Sequence, residues 1–350
     1  MRYVIVGAGA IGGILAARLA QHLDTPPLVI ARGDNAAAIR SGGLLLCTPD
    51  GAVRVPAPVA TGPDEATLTT DDVLVFATKT QQVTGALLEW VDRPVHGADG
   101  TVVGTAGDVL PVLTALNGVE AERLALRWFR RVYAVTIWIP GVHLRPGEFI
   151  DRFAPLSGVF IVGRYGTPLE EGEAAGDRAL LDRVHADWEA ATFRVHVVDN
   201  PMKWKYRKLI SNLENAVQAL LGPAEAERAP EAVARIQQLA TDEGLRVLAS
   251  AGIALPSDSD EASWRAEGLE IRPVPGVDEP LAGSSWQSLA RGTGSIETDY
   301  LNGEIVRMAR TVGLAAPVNE TLQQLARRAA VERKGPGSMK AAELLAAVSR

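Results

Sequence analysis

The sequence predicts an α/β domain followed by an all-α domain, and three observations carry that expectation. Short apolar runs alternate with helical patterns over the first 200 residues; the rhythm stops near "RVHVVDNPMKWKY", where Pro201 punctuates the junction; and the chain beyond it reads as helices. A length of 350 residues exceeds what one core usually takes, and 47% hydrophobic against 22% charged residues is ample for two. The expected boundaries are 1–200 for the α/β domain, 201–333 for the helical domain and 334–350 for a C-terminal tail opening on the hinge-like "KGPGS".

Six runs read as strands: "RYVIVG", "PPLVIAR", "DDVLVFAT", "VLPVLTALN", "RVYAVTIWI" and "SGVFIVGR", with crossover helices between them. After the first, "VIVGAGAIGG" sets Gly7, Gly9 and Gly12 in G-x-G-x-x-G spacing, directly before the helical period of "GILAARLAQHL". That context predicts a Rossmann-type dinucleotide-binding domain. Gly7 permits the tight turn, Gly9 leaves room for a pyrophosphate and Gly12 lets helix pack on strand. The segment Gly7, Ala8, Gly9, Ala10, Ile11 and Gly12 then offers free N–H groups and a positive helix end to the phosphates. A purely structural glycine turn is the alternative. The second strand ends in Arg32, twenty residues past Gly12, where an NAD-preferring protein usually carries Asp or Glu. Arginine there favours a 2′-phosphate and hence NADP, as NADPH, although Asp34 lies nearby and a solvated Arg32 is the competing reading.

In the helical half, "KWKYRKLISNLENAVQALLG" predicts one helix over 203–221. Lys208, Asn212, Asn215 and Ala219 fall within roughly 60° of each other on its wheel. Leu209, Leu213, Ala216, Val217 and Leu220 form the core-facing stripe, and Arg207, Glu214 and Gln218 a solvated side. Asparagine inside a helix costs on the order of half a kcal/mol, so the Lys/Asn ridge reads as a polar wall facing a cleft. The alternative is a lysine snorkelling beside surface asparagines. A further helix is expected in "EAVARIQQLATDEGLRVLASAGI", a loop in "RPVPGVDEPLAGSS" and a helix over about 295–312.

Composition narrows the function. Lys plus Arg is 35 against 42 Asp plus Glu, a net charge of -7, which argues against a dedicated nucleic-acid binder. Cys47 stands alone, so no internal disulfide forms. No run approaches the ~18 apolar residues of a membrane span, and the first apolar run begins at Tyr3, so no membrane association and a cytoplasmic location are expected. His22, His96, His143, His185 and His196 show no ligand spacing, so no catalytic metal is expected, and G-x-S-x-G is missing.

The motifs "GAGAIGG", "IARGDNAAAIRSGGLLL", "FATKTQQV", "ALNGV", "KLISNLEN" and "SSWQSLARGTGSIETDYLNG", followed by "ARTVGLAAPVNETL", occur in an order that resembles the ketopantoate reductase family over most of residues 1–325. The resemblance implies NADPH-dependent reduction of a branched 2-oxo acid, with 2-dehydropantoate (ketopantoate) the leading substrate. It implies Lys208 as the lysine that protonates the carbonyl oxygen, Glu297 as the acidic residue paired with that machinery, and Asn212 as a substrate contact. Asn117 would lie near nicotinamide and substrate, Lys79 on the cofactor side, and Ser285 on the substrate carboxylate. Read alone, Glu297 is a helix-start carboxylate, Ser285 a loop serine, Lys79 a solvated lysine and Asn117 before Gly118 a turn; Trp204 and Trp286 read as core cover.

Two positions depart from the family pattern. Ala216 stands where many members carry a second asparagine, displacing the amide to Asn215 as a substrate contact, and Ala282 stands where some have Asn. These departures keep open a relative that reduces another oxo acid or, as opine-type enzymes do, an imine. A non-catalytic NADP(H)-sensing regulator is a reading of a different class. The partner expected is a small 2-oxo acid, and the helical domain is the candidate face for a homodimer.

Overall fold

The computed structural model describes residues 1–168, 171–257, 259–260, 262, 269–278 and 283–349. Two units emerge: Met1–Lys205 with Ser257–Val277, and Tyr206–Pro256 with Asp278–Arg350.

The first unit is built on an eight-stranded sheet. Its strands are β1 (Arg2–Val6), β2 (Leu28–Ile30), β3 (Val59–Ala60), β4 (Asp72–Phe76), β5 (Pro111–Thr114), β6 (Arg131–Trp138), β7 (Gly158–Tyr165) and β8 (Phe193–Val197). They lie in the order β3-β2-β1-β4-β5-β6-β7-β8, parallel throughout except between β6 and β7. The strand order reverses between β1 and β4, which is where a doubly wound sheet opens a crevice at its carboxyl edge.

Burial on both faces explains the continuous apolar runs. Within β1, Tyr3 and Ile5 join one core and Val4 and Val6 the other. The first core is covered by α1 (Ala10–His22) and α5 (Glu171–Ala190), through residues such as Ile14, Leu15 and Trp188. The second is covered by α3 (Thr80–Val91) and α4 (Ala121–Ala125), through Val83, Leu87, Trp90 and Ala125. The helix α2 (Gly33–Gly42) follows β2.

All six expected strands are present, but the crossover rhythm fails after β6. There the chain makes Gly141–Val142 and Glu148–Asp151, which join Leu44–Thr48 and Gly51–Val55 in a separate four-stranded sheet before returning antiparallel as β7. Strands this short carry too little alternation to be read from sequence.

The second unit is helical. Its elements are α6 (Pro201–Asn212), whose first residues belong to the first unit, α7 (Glu214–Arg228), α8 (Pro230–Ser250), α9 (Ser284–Ala290), α10 (Asn302–Thr311), α11 (Pro317–Val331) and α12 (Ala341–Val348). The single helix expected over 203–221 is two helices. Between them Leu213 keeps helical angles, φ -63° and ψ -29°, but its amide bonds Ile210 O at 3.2 Å in a tighter turn, and its carbonyl accepts from Asn302 Nδ2 at 3.1 Å. The helix expected over about 295–312 is likewise a 3₁₀ turn, Glu297–Tyr300, followed by α10, with Leu301 outside helical geometry at φ -112°, ψ -89°.

The C-terminal segment is bound into this unit. Gly222 interrupts α7 at φ 66°, ψ 171°, which frees carbonyls just before it. The Gly337 amide takes Ala219 O and the Met339 amide takes Leu220 O, both at 3.0 Å, and the Ala341 amide donates to Glu225 Oε1 at 3.0 Å. Ala341 and Leu344 are fully buried. Removing residues 334–350 is expected to lower stability by roughly 3 kcal/mol or more, because those carbonyls and that apolar surface are both exposed; chemical denaturation of the truncated chain measures it.

At the end of Glu148–Asp151, Asp151 is completely buried and its Oδ2 meets no partner among the described residues. Burial pushes its carboxyl up to about 7, against the pull of Ser157, the Phe153 amide and Arg18. The folded chain therefore holds a proton that the unfolded chain releases near its ordinary value of 3.8. Its contribution to stability is fully present below that value, is lost as pH rises through the window to about 7, and is level above it. Asp151→Asn is expected to flatten this slope, narrowing the difference between pH 5 and pH 8 by about 1 kcal/mol or more in denaturant titrations.

Candidate active site

The turn between β1 and α1 answers the roles assigned to its glycines. Gly7 has φ +106°, and a Cβ there would sit 2.9 Å from Thr78 Cγ2 and 3.1 Å from the Ala77 carbonyl carbon. A Cβ on Gly12 would be driven into the Gly7 carbonyl oxygen, so helix and strand touch backbone to backbone. Gly9 differs from both: a Cβ there meets nothing within 4 Å. Among the described residues no atom fills the space on that side of the turn.

The head of α1 is open to an anion. Gly9 is its N-cap, no side chain caps it and its first turn holds no acidic residue. The first intrahelical bond runs from the Gly13 amide to Gly9 O at 2.8 Å, so the amides of Ala10, Ile11 and Gly12 lie ahead of the ladder. Together with the helix dipole, this fits a pyrophosphate. Ala8 is buried, and its carbonyl accepts from Asn35 Nδ2 at 2.8 Å while Asn35 Oδ1 accepts from the Gly147 amide at 2.7 Å. Asn35 thus pins the turn, a role its sequence context did not disclose.

Beside this turn run the loops after β4 and β5, which are paired neighbours. Lys79 is the N-cap residue of α3, whose first turn also lacks an acid, and the Thr80 hydroxyl donates to Asn117 O at 3.0 Å. The carboxyl edge of the sheet therefore gathers the glycine turn, Lys79 and Asn117, the last two both half-buried. Arg32 stands just past β2 as the N-cap residue of α2, exposed, with its guanidinium ion-paired to Glu89 of α3. A 2′-phosphate at Arg32 would compete with Glu89.

The other expected site residues lie in the second unit. Lys208 is half-buried and Asn212 is buried on α6; Asn215 on α7, Ser285 in α9 and Glu297 are buried as well. The Ser284 hydroxyl donates to Glu297 Oε2 at 3.4 Å. Ser285 Oγ is 1% exposed at the residue level and has no hydrogen-bond partner among the described residues, a hydroxyl held ready for a ligand or water.

Three details differ from the helical-wheel reading. Leu213 falls between the two helices, so Lys208 and Asn212 lie on α6 and Asn215 on α7. Asn215 instead faces the head of α9, where a Cβ on Gly283 would lie 2.7 Å from its Oδ1. Gln218, expected on the solvated side, accepts from the Gly283 amide at 3.2 Å. Ala216 is 1% exposed, in the core, and Ala282 lies outside the described residues. Trp204 is buried and packs on Val159 and Ile161. Among the described residues, no helix is long and apolar enough to cross a membrane, and no group of three or more His, Cys, Asp and Glu side chains forms a metal-binding cluster.

The sheet order and the glycine turn define a Rossmann-type dinucleotide-binding protein carrying a helical second domain. Family models described as ketopantoate reductase PanE/ApbA and its C-terminal domain match residues 3–165 and 200–330. The chain belongs to the ketopantoate reductase family, a family of oxidoreductases. It is 28% identical to a 2-dehydropantoate 2-reductase of Mesorhizobium japonicum, covering 95% of this chain and 99% of the relative. A 2-dehydropantoate 2-reductase of Caulobacter vibrioides is also 28% identical, over 93% and 98% of the two chains. The crystal structure of a PanE/ApbA family ketopantoate reductase from Ralstonia eutropha superposes with a TM-score of 0.71 at 25% identity, over 95% of this chain and 100% of that one. A D-mandelate dehydrogenase solved with NADH and anilino(oxo)acetate has a TM-score of 0.73 at 21% identity, over 95% and 99%, and shares the fold.

The glycines separate under mutation. Gly9→Val is expected to melt within a few degrees of the parent, since its φ of -83° suits any residue, but to bind a nicotinamide dinucleotide at least tenfold more weakly. Gly12→Ala is expected to cost about 1–3 kcal/mol of stability through the clash with Gly7. Thermal melts and a fluorescence titration with NADPH measure both.

Proposed function

We propose that the chain reduces a branched 2-oxo acid to the corresponding 2-hydroxy acid with NADPH, 2-dehydropantoate being the leading substrate. The observation that carries the reading is the unobstructed Gly9 face at the uncapped head of α1, in line with Lys79 and Asn117 at the carboxyl edge of adjacent strands. A bound NADPH supplies the reducing equivalent. The protein's own residues do the rest. The glycine turn and α1 hold the pyrophosphate, Lys79 lies on the cofactor side, and Asn117 borders the nicotinamide and the substrate.

In the second unit Lys208 is the proton donor. An ammonium both stabilises the developing alkoxide and delivers its proton to that oxygen. Ser285 receives the substrate carboxylate with the hydroxyl that no group among the described residues engages, and Glu297 orients the machinery from its buried place beside Ser284. Asn212 supplies donors and acceptors to the substrate without adding charge. NADPH is favoured over NADH by Arg32 at the end of β2, within the limit set by its pairing with Glu89.

A second reading rests on a specific feature. Ala216 is in the core, so the amide that many family members place there is missing, and Asn215, turned to the head of the helix that carries Ser285, is the one left to meet the substrate. A 2-oxo acid with fewer polar groups than ketopantoate, or an imine of one, suits such a wall.

The test is steady-state oxidation of NADPH and of NADH against ketopantoate and a panel of 2-oxo acids, each with and without an amine. Turnover of an oxo acid alone supports the first reading, and dependence on amine supports the imine variant. A protein that binds NADPH tightly but oxidises it with none of these would overturn both and favour a sensor. With the active substrate, Lys208→Ala is expected to lower kcat by about 10²–10⁴ while NADPH affinity changes less than threefold.

A further inference from the structure

A buried charge pair lies outside every role assigned above. Lys205, on α6 and 2% exposed at its side chain, sets its Nζ 2.8 Å from Glu122 Oε1 and donates to the Leu116 carbonyl at 2.7 Å. Glu122, on α4 and fully buried, also accepts at Oε1 from the Thr114 hydroxyl at 2.7 Å. Its Oε2 has no partner among the described residues. All of these groups belong to the first unit.

Such a pair is a poor device for stability alone. Desolvating two ions consumes most of their mutual attraction, and well-packed apolar residues of similar volume commonly serve as well or better. What an apolar pair cannot do is hold a carbonyl in a fixed direction. Lys205 holds the carbonyl of Leu116, and Thr80 holds the carbonyl of the next residue, Asn117, at 3.0 Å. Two successive peptide planes are thereby fixed, and they set where the Asn117 side chain points. Gly118 follows at φ +78°, so the turn reverses immediately beyond the held carbonyls.

The geometry points to Lys205, with Glu122 as its counter-charge, as a positioning residue that sets the Asn117 turn for the nicotinamide end of the dinucleotide. This rests on the assignment of Asn117 to the nicotinamide in the function proposed above. Lys205 touches neither substrate nor cofactor in this account; it acts through Leu116. Removing one partner alone leaves a bare buried charge and is expected to unfold the chain, so single substitutions do not discriminate.

The discriminating variant is Lys205→Met with Glu122→Leu, which removes both charges and keeps the volume. Its melting temperature is expected to stay within a few degrees of the parent. Its affinity for 2′-phospho-ADP-ribose, the dinucleotide without its nicotinamide, is expected within threefold of the parent, while NADPH binds at least fivefold more weakly. With an oxo acid that the parent turns over, kcat is expected to fall at least tenfold and KM for the oxo acid to change less. Should this variant not fold, Lys205→Gln with Glu122→Gln keeps polar groups at both positions but withdraws the donor from Leu116, and the same results are expected. A folded double variant that binds NADPH like the parent, or that loses both nucleotides equally, overturns the proposal. A parent that binds NADPH yet reduces no oxo acid removes the proposed function but leaves the binding comparison to decide the positioning role; a parent that binds no NADPH ends both.

Discussion

Backbone amides at the head of α1, with no protein side chain to accept them, are the constraint around which the first unit is arranged. A helix end of this kind is tolerable when water or an anion completes it. The surrounding structure keeps the place clear. Gly7 turns the chain back over the edge of the sheet, Gly12 brings the helix onto the strand, and Gly9 leaves a face that no protein atom fills. Asn35 pins Ala8 from the side. The loops carrying Lys79 and Asn117 follow on the next two strands, so the edge reads as one continuous surface for an elongated anionic ligand.

The second unit depends on a buried amide network of a different kind. Asn302 donates to the Leu213 carbonyl and to Asn319 Oδ1, while Asn319 donates to Ala240 O and Glu243 Oε1. Every one of these groups is buried, where an unmet amide costs on the order of 1–3 kcal/mol, so the network fixes one arrangement of α7, α8, α10 and α11. It also reaches the Leu213 carbonyl between α6 and α7. Lys208 and Asn212 lie on α6, and Asn215 and Gln218 on α7 at the head of α9.

What was legible in the sequence were the features set by local physics. Runs such as "YVIV" must be buried on both faces, so β1 and its parallel neighbours could be read directly, and the glycine spacing announced α1, which starts three residues earlier, at Ala10, than the period of "GILAARLAQHL". The family's ordered motifs named Lys79 and Asn117, which follow neighbouring strands at the sheet edge, and Lys208, Asn212, Asn215, Ser285 and Glu297, which lie in the helical unit. What stayed hidden was set by partners distant in sequence. The turn at Leu213 is met by an asparagine 89 residues away, and nothing in "ISNLEN" announces it. Lys205, in "KWKYRK", has the look of a solvated lysine, and its burial follows from Glu122 and the Leu116 carbonyl. The segment after residue 334 looked like an appendage because its role is to satisfy carbonyls that Gly222 releases.

The most direct measurement is a crystal structure of the chain with NADPH bound. The account predicts pyrophosphate oxygens at about 3 Å from the backbone nitrogens of Ala10 and Ile11, over the bare face of Gly9, with the nicotinamide ring beside Asn117. Density for the nucleotide at any other place, with the head of α1 left to water, would contradict it.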